Sequence, residues 1–232
     1  MSAIILDTET SSTDGNACEI AHLPITITDG KFEADKSQMF CQRYNPLQSI
    51  SLGAMAVHHI LDSDVVDCPP HTDFRLPEGT QYLIGHNVDF DAAVLERAGV
   101  DLTGVKRICT LALCRMLWPN AVSHTLTAMA YYHANNRETV RDMLRSAHSA
   151  NVDVLLTAAL LRQIANQLAV KTMQSMHACS EVARVPTVMS FGKHKGTPIA
   201  ELPNNYVEWL RSQPNTDPYL LNALKEVSRM QS

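Results

Sequence analysis

Five residues in three short motifs have the types and spacing that metal-assisted hydrolysis needs. The motifs are LDTET, GHNVDFD and AHSANVD, and the residues are Asp7, Glu9, Asp91, His148 and Asp153. Carboxylates can hold two divalent cations about 4 Å apart, which brings a hydroxide and a negatively charged phosphodiester together at neutral pH. A histidine can take the proton of the attacking water. The sequence therefore predicts that these five residues meet in one catalytic site.

The first two acids are placed by the strand that precedes them. The apolar run AIIL predicts a buried strand leading into Asp7. Side chains alternate along a strand, so Asp7 and Glu9 share one face while Thr8 points to the other. D-x-E alone is equally the pattern of solvated acids at a strand end. With the other motifs it predicts one strand end that presents two carboxylates to the same metal ions.

The second motif lies at a predicted junction between a strand and a helix. Asn87 and Asp91 bracket that junction, and α/β sheets bind ligands in crevices of this kind. The segment could also be an ordinary helix start, in which Asp89 or Asp91 satisfies free helix amides.

The third motif spaces a histidine and an acid by five residues. On one continuous helix, His148 and Asp153 would point roughly 140° apart. We therefore expect His148 to precede the helix and Asp153 to lie in its first turns, with Ser149 or Asn151 as the cap. A base outside the helix has the freedom to accept a proton and release it.

Together the three motifs resemble those of the DEDDh 3′→5′ exonucleases, the family of polymerase proofreading subunits, RNase T, oligoribonuclease and exonuclease X. The match spans roughly residues 3–165 and is nearest to the exonuclease X type. The resemblance implies an RNase H-like exonuclease fold, two Mg²⁺ ions for which Mn²⁺ can substitute, and neutral His148 as general base. It assigns the metal ions to four carboxylates, those of Asp7, Glu9, Asp91 and Asp153, and leaves Asp89 without that role.

The same resemblance implies a set of substrate contacts. They are Thr8, Thr10, Ser11, His58 and Asn87. Two departures from the family pattern affect this set. Ser11 and Ser12 stand where Thr-Gly is usual, and His59 replaces the glycine of the family's V-H-G-I segment.

The elements that must position these residues are those of an α/β fold. We predict a mixed five-stranded β-sheet flanked by α-helices. EIAHLPITI and KFEADKSQMFCQ form a hairpin with a Asp-Gly turn, and QYLIGHN and KRICT are the fourth and fifth strands. Amphipathic periodicity predicts helices in SLGAMAVHHI, DAAVLERAG, TLALCRMLW, HTLTAMAYYHA and VDVLLTAALLRQIANQLAV.

The chain is expected to hold two units. Residues 1–169 form the exonuclease domain, residues 170–185 a linker, and residues 186–232 a small C-terminal module that resembles the one of exonuclease X-type proteins. In the module, FGKHKGT resembles a phosphate-binding turn through Lys193 and Lys195, although it lacks the P-loop pattern and suits a plain surface loop equally well. Tyr206, Trp209 and Leu210 have the helical spacing of a core face.

Composition limits the setting in which the protein works. No basic signal region, no apolar run near ~20 residues and no C-x-x-C pair are present, so we expect a cytoplasmic protein without a membrane partner. The net charge is −5, but residues from 186 onward carry five Lys/Arg against four Asp/Glu. Since four of the remaining acids are the proposed metal ligands, the acidity is compatible with a nuclease that binds its substrate through metals.

The expected function is a 3′→5′ exodeoxyribonuclease that releases nucleoside 5′-monophosphates from DNA 3′ ends, either single-stranded or frayed. RNA as a substrate and a homodimer are left open. The alternatives are an RNA-trimming exoribonuclease, a polymerase proofreading subunit, or a nucleic-acid-binding protein without activity.

Overall fold

The computed structural model describes residues 2–145, 150–214 and 216–230. Within these ranges the chain forms a mixed six-stranded sheet with helices on both faces, which confirms the predicted fold class. The strands are β1 (Ser2–Thr10), β2 (Ala17–Thr28), β3 (Lys31–Ala34), β4 (Phe40–Arg43), β5 (Thr80–Gly85) and β6 (Lys106–Cys109). The helices are α1 (Leu52–His58), α2 (Asp62–Val65), α3 (Val88–Arg97), α4 (Thr110–Leu117), α5 (Leu126–His133), α6 (Arg137–Arg145), α7 (Ala150–Leu168), α8 (Met173–Ala183), α9 (Asn204–Ser212) and α10 (Pro218–Met230).

The strand order places three strand ends at one edge of the sheet. The order is β3-β2-β1-β5-β6, and β4 also pairs with β2. Strands β1, β5 and β6 are mutually parallel, whereas β2 runs antiparallel to β1. The carboxyl ends of β1, β5 and β6 therefore lie together, at the edge where α/β sheets bind ligands.

The segment that follows β2 forms two strands, β3 and β4, where the sequence predicts one. The hairpin turn is as expected, since Asp29 (φ 52°) and Gly30 (φ 82°) both adopt the positive φ of a two-residue hairpin loop. The second arm, however, is interrupted after β3 by a 3-10 turn at Lys36–Gln38, where the Asp35 carboxylate accepts a hydrogen bond from the Ser37 amide. The sheet consequently has six strands instead of five in the described residues.

Both faces of β1 are buried. Ala3 and Ile5 point into the cluster that α7 covers, and Ile4 and Leu6 point into the cluster that α3 covers. Burying a large aliphatic side chain contributes roughly 1.5–3 kcal/mol. The two-sided burial therefore fixes the strand that leads into Asp7.

The interval 170–185, predicted as a linker, contains helix α8. Met173 and Met176 are buried in the same core as α7, and the Ser180 hydroxyl accepts a hydrogen bond from the Cys109 amide (2.9 Å). A separate apolar cluster follows in the module, formed by Met189, Ile199, Leu202, Leu210, Leu220, Ala223 and Leu224. None of the helices in the described ranges combines the length and hydrophobicity that a bilayer crossing requires.

Candidate active site

Two carboxylates of the site lie near the carboxyl end of strand β1. Asp7 and Glu9 continue the odd-numbered series of Ala3 and Ile5, so both face the side on which α7 packs. Thr8 belongs to the even series and faces the side of α3. The predicted alternation at this strand end is therefore present in the structure.

A third carboxylate comes from the first turn of α7. Each of Asp7, Glu9 and Asp153 offers an oxygen atom, and these three atoms all lie within 4.8 Å of one another. In the chain as described, this is the group of His, Cys, Asp or Glu side chains with metal-binding geometry. The three come from positions as far apart as 7 and 153, so the fold and not local sequence brings them together.

Asp91 approaches from the opposite face of the sheet. Ile5 of β1 pairs with Ile84 of β5, and β5 ends at the next residue, Gly85. Asp7 and Thr8 of β1 therefore extend past the end of β5. The first turn of α3 occupies this space and places Asp91 there, 4% exposed. The Thr8 hydroxyl donates a 2.8 Å hydrogen bond to Asp91 Oδ1. We name Asp7, Glu9, Asp91 and Asp153 the carboxylate cluster.

Gly85 is needed for this approach, and sequence reasoning did not identify it. A Cβ at this position would lie 3.1 Å from Val88 Cα, 3.2 Å from Asp91 Oδ2 and 3.3 Å from the Leu6 carbonyl oxygen. These contacts are too close for an alanine without displacement of the backbone or the carboxylate. The signal in the sequence was a glycine at the end of a predicted strand, which often marks a close approach of another backbone or a ligand.

The electrostatics of the cluster show uncompensated negative charge. Burial raises the pKa of Asp7 well above its ordinary value, and repulsion from Asp91 and Asp153 raises it further. Burial, together with the charge of Asp153, raises the pKa of Glu9 from 4.5 to about 7. Burial likewise raises the pKa of Asp91, partly offset by the hydrogen bond from Thr8. Hard divalent cations that prefer oxygen ligands, such as Mg²⁺ and Mn²⁺, fit this donor set.

These pKa shifts predict a pH-dependent stability for the metal-free protein. Because the folded pKa of Glu9 (about 7) exceeds its ordinary value of 4.5, its stabilising contribution is complete below that value and is lost as pH rises through about 7. Metal binding needs the deprotonated carboxylates. We therefore expect added Mg²⁺ to raise the Tm more at about pH 8 than at about pH 6.

Thermal unfolding in EDTA and in Mg²⁺ at the two pH values measures this difference. The Glu9→Gln variant, which cannot titrate at this position, should show a smaller difference between the two pH values. An effect of Mg²⁺ on the wild-type Tm that does not change with pH would contradict the assignment.

Glu19 is a further buried acid next to the cluster. It lies opposite Glu9 in the β1–β2 pairing and is 4% exposed. Its Oε1 accepts a 2.8 Å hydrogen bond from the amide of Ala150, the first residue of α7, and its Oε2 lies 3.5 Å from Arg43 Nε. A carboxylate at a helix N-terminus is stabilising because it meets free amides and the positive end of the helix dipole. Glu19 thus fixes the start of the helix that carries Asp153.

We predict that Glu19→Ala lowers kcat and metal affinity more than its loss of stability explains. A hydrogen bond to a charged group contributes roughly 1.5–3 kcal/mol, so some loss of Tm is expected too. Glu19→Gln keeps the shape and an acceptor oxygen, and should restore most of kcat. The measurements are Tm, kcat and Mn²⁺ affinity for both variants. Equal activity of Glu19→Ala and wild type at a temperature where both are folded would show that Glu19 does not position α7.

His148 lies outside the described residues, so its role as general base stays a prediction. The helix that follows begins at Ala150 and places Asp153 in its first turn, as the spacing predicts. Asn151 lies inside the helix and does not occupy the cap position. The carboxylate of Glu19 meets the Ala150 amide in its place.

Four of the predicted substrate contacts are buried and have partners within the protein. Thr8 donates to Asp91, and the Thr10 hydroxyl donates to the Ser12 carbonyl oxygen (2.8 Å). Ser11 is fully buried and its hydroxyl accepts a hydrogen bond from Gln48. His58 Nε2 lies 3.1 Å from the Thr10 carbonyl oxygen, and its Nδ1 accepts from the Ile60 amide. These contacts stabilise the loop after β1, so a direct contact of these side chains with substrate remains a prediction.

Asn87, the fifth predicted contact, is exposed. It precedes α3 with a φ of 83°, a left-handed conformation that asparagine tolerates better than most residues. Its side chain makes no capping hydrogen bond to the helix. Such a residue between the end of β5 and Asp91 is well placed to meet a ligand at this edge of the sheet.

The predicted phosphate contacts in the module differ from each other. Lys193 is exposed, whereas Lys195 Nζ donates a 2.6 Å hydrogen bond to the Ala121 carbonyl oxygen. Lys195 therefore holds its loop against the segment between α4 and α5. Of the residues predicted as module core, Leu210 is 1% exposed, but Trp209 is 50% exposed. The prediction that Trp209 belongs to the core of the module is wrong. Helical spacing shows that Tyr206, Trp209 and Leu210 lie on one side of the helix, but not which of them the rest of the module covers.

Comparison with known proteins identifies relatives over most of the chain. The chain is 32% identical to exodeoxyribonuclease 10 of Escherichia coli (strain K12) over 211 residues, which cover 89% of each protein. Its fold is similar to that of exonuclease X in complex with 5′ overhanging duplex DNA, with a TM-score of 0.58 and 28% identity over 77% of this chain and 99% of that chain. Escherichia coli exonuclease I in complex with a dA16 oligonucleotide shares the fold, with a TM-score of 0.56 and 16% identity over 79% of this chain and 43% of that chain.

The C-terminal region has a match of its own. Residues 180–230 match the family described as "Putative quorum-sensing-regulated virulence factor". This range begins in α8 and includes α9 and α10. It coincides closely with the part of the chain that forms the separate apolar cluster of the module.

Proposed function

Since the chain belongs to the DEDDh exonuclease family that includes exodeoxyribonuclease 10, we propose that it is a metal-dependent 3′→5′ exodeoxyribonuclease. Family membership makes it a nuclease. The polarity, the two-metal mechanism and the role of His148 are the proposal. They are supported by the motifs of the sequence and by the arrangement of the described acids.

The observation that carries the proposal is the convergence of the carboxylate cluster. Four acids from two strand positions and two helices meet at the carboxyl edge of the sheet, and their negative charges are close enough to raise the pKa of Asp7 and of Glu9. Burying such charges side by side is costly unless cations compensate them. When bound, two divalent cations would supply the Lewis-acid activation and charge neutralisation that phosphodiester hydrolysis requires.

Each residue then has a defined task. Asp7, Glu9, Asp91 and Asp153 hold the two Mg²⁺ or Mn²⁺ ions. Thr8 orients the Asp91 carboxylate through its hydrogen bond, and Gly85 leaves room for that carboxylate. Asn87 contacts the terminal nucleotide from its exposed position. His148 accepts the proton of the attacking water at an imidazole nitrogen, as the family motif implies.

DNA 3′ ends are the proposed substrate. The structure of exonuclease X contains 5′ overhanging duplex DNA, and that of exonuclease I, which shares the fold, contains a dA16 oligonucleotide. The first of these ligands has a 3′ end recessed beside a single strand, and the second is a single strand. We propose that this chain acts on single-stranded or frayed DNA 3′ ends and releases nucleoside 5′-monophosphates.

Digestion of end-labelled strands tests the proposal. With a 5′-labelled single-stranded DNA and Mg²⁺, we expect a ladder that shortens one nucleotide at a time. With a 3′-labelled strand, we expect the label to appear first as a mononucleotide, and EDTA should stop both reactions. Matching RNA strands test the sugar preference in parallel. Early release of a 5′ label, or cleavage that EDTA does not stop, would contradict the proposal.

We further propose that residues 1–169 and 186–232 are separate units, and that the connecting residues 170–185 pack against the first unit through α8. The distinct apolar cluster of the module and the family match to residues 180–230 support this division. The two units are in contact through the Arg115–Asp217 ion pair (3.3 Å) and the hydrogen bond of Lys195 to Ala121.

A further inference from the structure

A stacked aromatic pair, of which Trp209 is exposed and Tyr206 is partly buried, lies on helix α9 of the C-terminal module. The rings of Tyr206 and Trp209 are stacked, with centroids 5.4 Å apart and an interplanar angle of 21°. Trp209 remains 50% exposed, although Leu210, the next residue, is in the core. A tryptophan carries a large apolar surface that normally is covered or meets a partner. The pair is therefore a surface that could receive a flat ligand.

A positive side chain lies against the same pair. Lys193 Nζ is 5.5 Å from the centre of the Tyr206 ring, and the centre of the His194 ring lies 4.4 Å from it. The loop that carries both residues fits closely to the tyrosine. Gly192 has a φ of 69°, and a Cβ there would lie 3.3 Å from the Tyr206 hydroxyl oxygen. We name Lys193, Tyr206 and Trp209 the aromatic patch.

The loop that carries Lys193 is attached to the segment between α4 and α5. Lys195 ties it to the Ala121 carbonyl oxygen of the exonuclease domain. Just before the loop, Ser190 and Phe191 line a cavity of about 420 Å³ together with His86, the residue that follows Gly85. The start of the loop therefore shares a cavity with the residue that directly follows β5.

We propose that the aromatic patch binds single-stranded DNA upstream of the 3′ end that occupies the active site. Bases stack on exposed aromatic rings regardless of sequence, and a nearby lysine attracts the phosphates. The stacked rings, the lysine and the cavity that the start of the loop shares with His86 together favour a nucleic acid strand over a protein partner. This inference rests on the proposed function and gives the module a role in it, as a second contact for longer strands.

Tryptophan fluorescence gives a direct test, because the chain has two tryptophans. In a Trp118→Phe variant, Trp209 is the one that remains. With Ca²⁺ in place of Mg²⁺ to prevent turnover, we expect oligo(dT) of about 20 nucleotides to quench Trp209, while an oligomer of about 4 nucleotides should not reach it. Fluorescence anisotropy of a labelled oligonucleotide reports binding independently. Absence of quenching while the longer strand is bound would overturn the proposal.

Matched substitutions separate stacking from general attraction. Trp209→Leu should raise the KM for the longer strand at least about fivefold, whereas Trp209→Phe, which keeps a ring, should come close to wild type. Lys193→Ala should weaken binding more than Lys225→Ala, which removes another exposed lysine of the same module. Equal effects of the two lysine changes, or equal KM values for the leucine and phenylalanine variants, would overturn the role of the aromatic patch.

The short oligomer distinguishes this inference from the proposed function. Its Mg²⁺-dependent hydrolysis should be unchanged in the Trp209 and Lys193 variants, since it meets only the active site. If the wild type hydrolyses neither the short nor the long oligonucleotide, the proposed function fails. If it hydrolyses both and the variants leave the KM of both unchanged, the inference about the aromatic patch alone fails.

Discussion

Replacing Asp7 by Asn is expected to lower Mg²⁺-dependent hydrolysis by roughly 10³-fold or more while the protein stays folded. The carboxylate lies among three other acids and offers an oxygen atom to the proposed metal site. Bound cations contribute several kcal/mol of charge stabilisation in the transition state, and each 1.36 kcal/mol is a factor of about ten in rate. The amide retains the size of the side chain but removes its charge. Since that charge is repelled by Asp91 and Asp153 in the metal-free protein, the Tm in EDTA should be unchanged or higher.

Asp14→Asn is the matched control for this experiment. Asp14 is exposed in the loop after β1 and is not a proposed metal ligand. Asp14→Asn therefore makes the same chemical change close to the site in sequence without removing a ligand. Its kcat should stay near that of the wild type. Turnover of Asp7→Asn near the wild-type rate would refute the metal assignment, and a collapsed Tm would mean that Asp7 is structural.

The second large effect is expected from His148→Ala. Loss of a positioned general base usually lowers kcat by roughly 10²–10⁴-fold. The imidazole must be neutral to accept a proton, and the ordinary pKa of histidine is about 6.5, so the wild-type kcat should fall as pH decreases through that region. In the variant this acidic limb should flatten. Binding of DNA in Ca²⁺ should persist, since the carboxylate cluster is intact.

His177→Ala provides a control for the loss of a histidine elsewhere, because His177 lies on α8 with its Nε2 3.8 Å from Glu181 Oε1. It should preserve both kcat and the acidic limb. Retention of the same acidic limb in His148→Ala, with a loss of only a few-fold in kcat, would assign His148 to positioning or structure and would exclude it as the base.

Local rules were sufficient for the parts of the site that lie within one element. The two-residue period of a strand predicts that Asp7 and Glu9 share a face, and the helical period predicts that Asp153 follows a helix start. The Asp-Gly pair predicts the hairpin turn because both of its residues take positive φ. Each of these features depends on neighbours within a few residues.

Features that depend on distant contacts were not predicted. Glu19 and Ala150 are 131 residues apart in the chain, and their hydrogen bond exists only because α7 packs over β1 and β2. Gly85 matters because α3 brings Asp91 against it. The exposure of Trp209 likewise depends on which side of α9 the rest of the module covers. A sequence pattern shows that an apolar stripe exists, but tertiary packing decides which of its members are buried.

The most direct test of the site is the number of divalent cations that it holds. Electron paramagnetic resonance can count bound Mn²⁺ per chain in the presence of a nucleoside 5′-monophosphate, the proposed product. We expect two ions in the wild type and in Asp14→Asn, and fewer in Asp7→Asn. A wild-type protein that binds no Mn²⁺, or a count that Asp7→Asn leaves unchanged, would contradict the assignment of the carboxylate cluster as a two-metal centre.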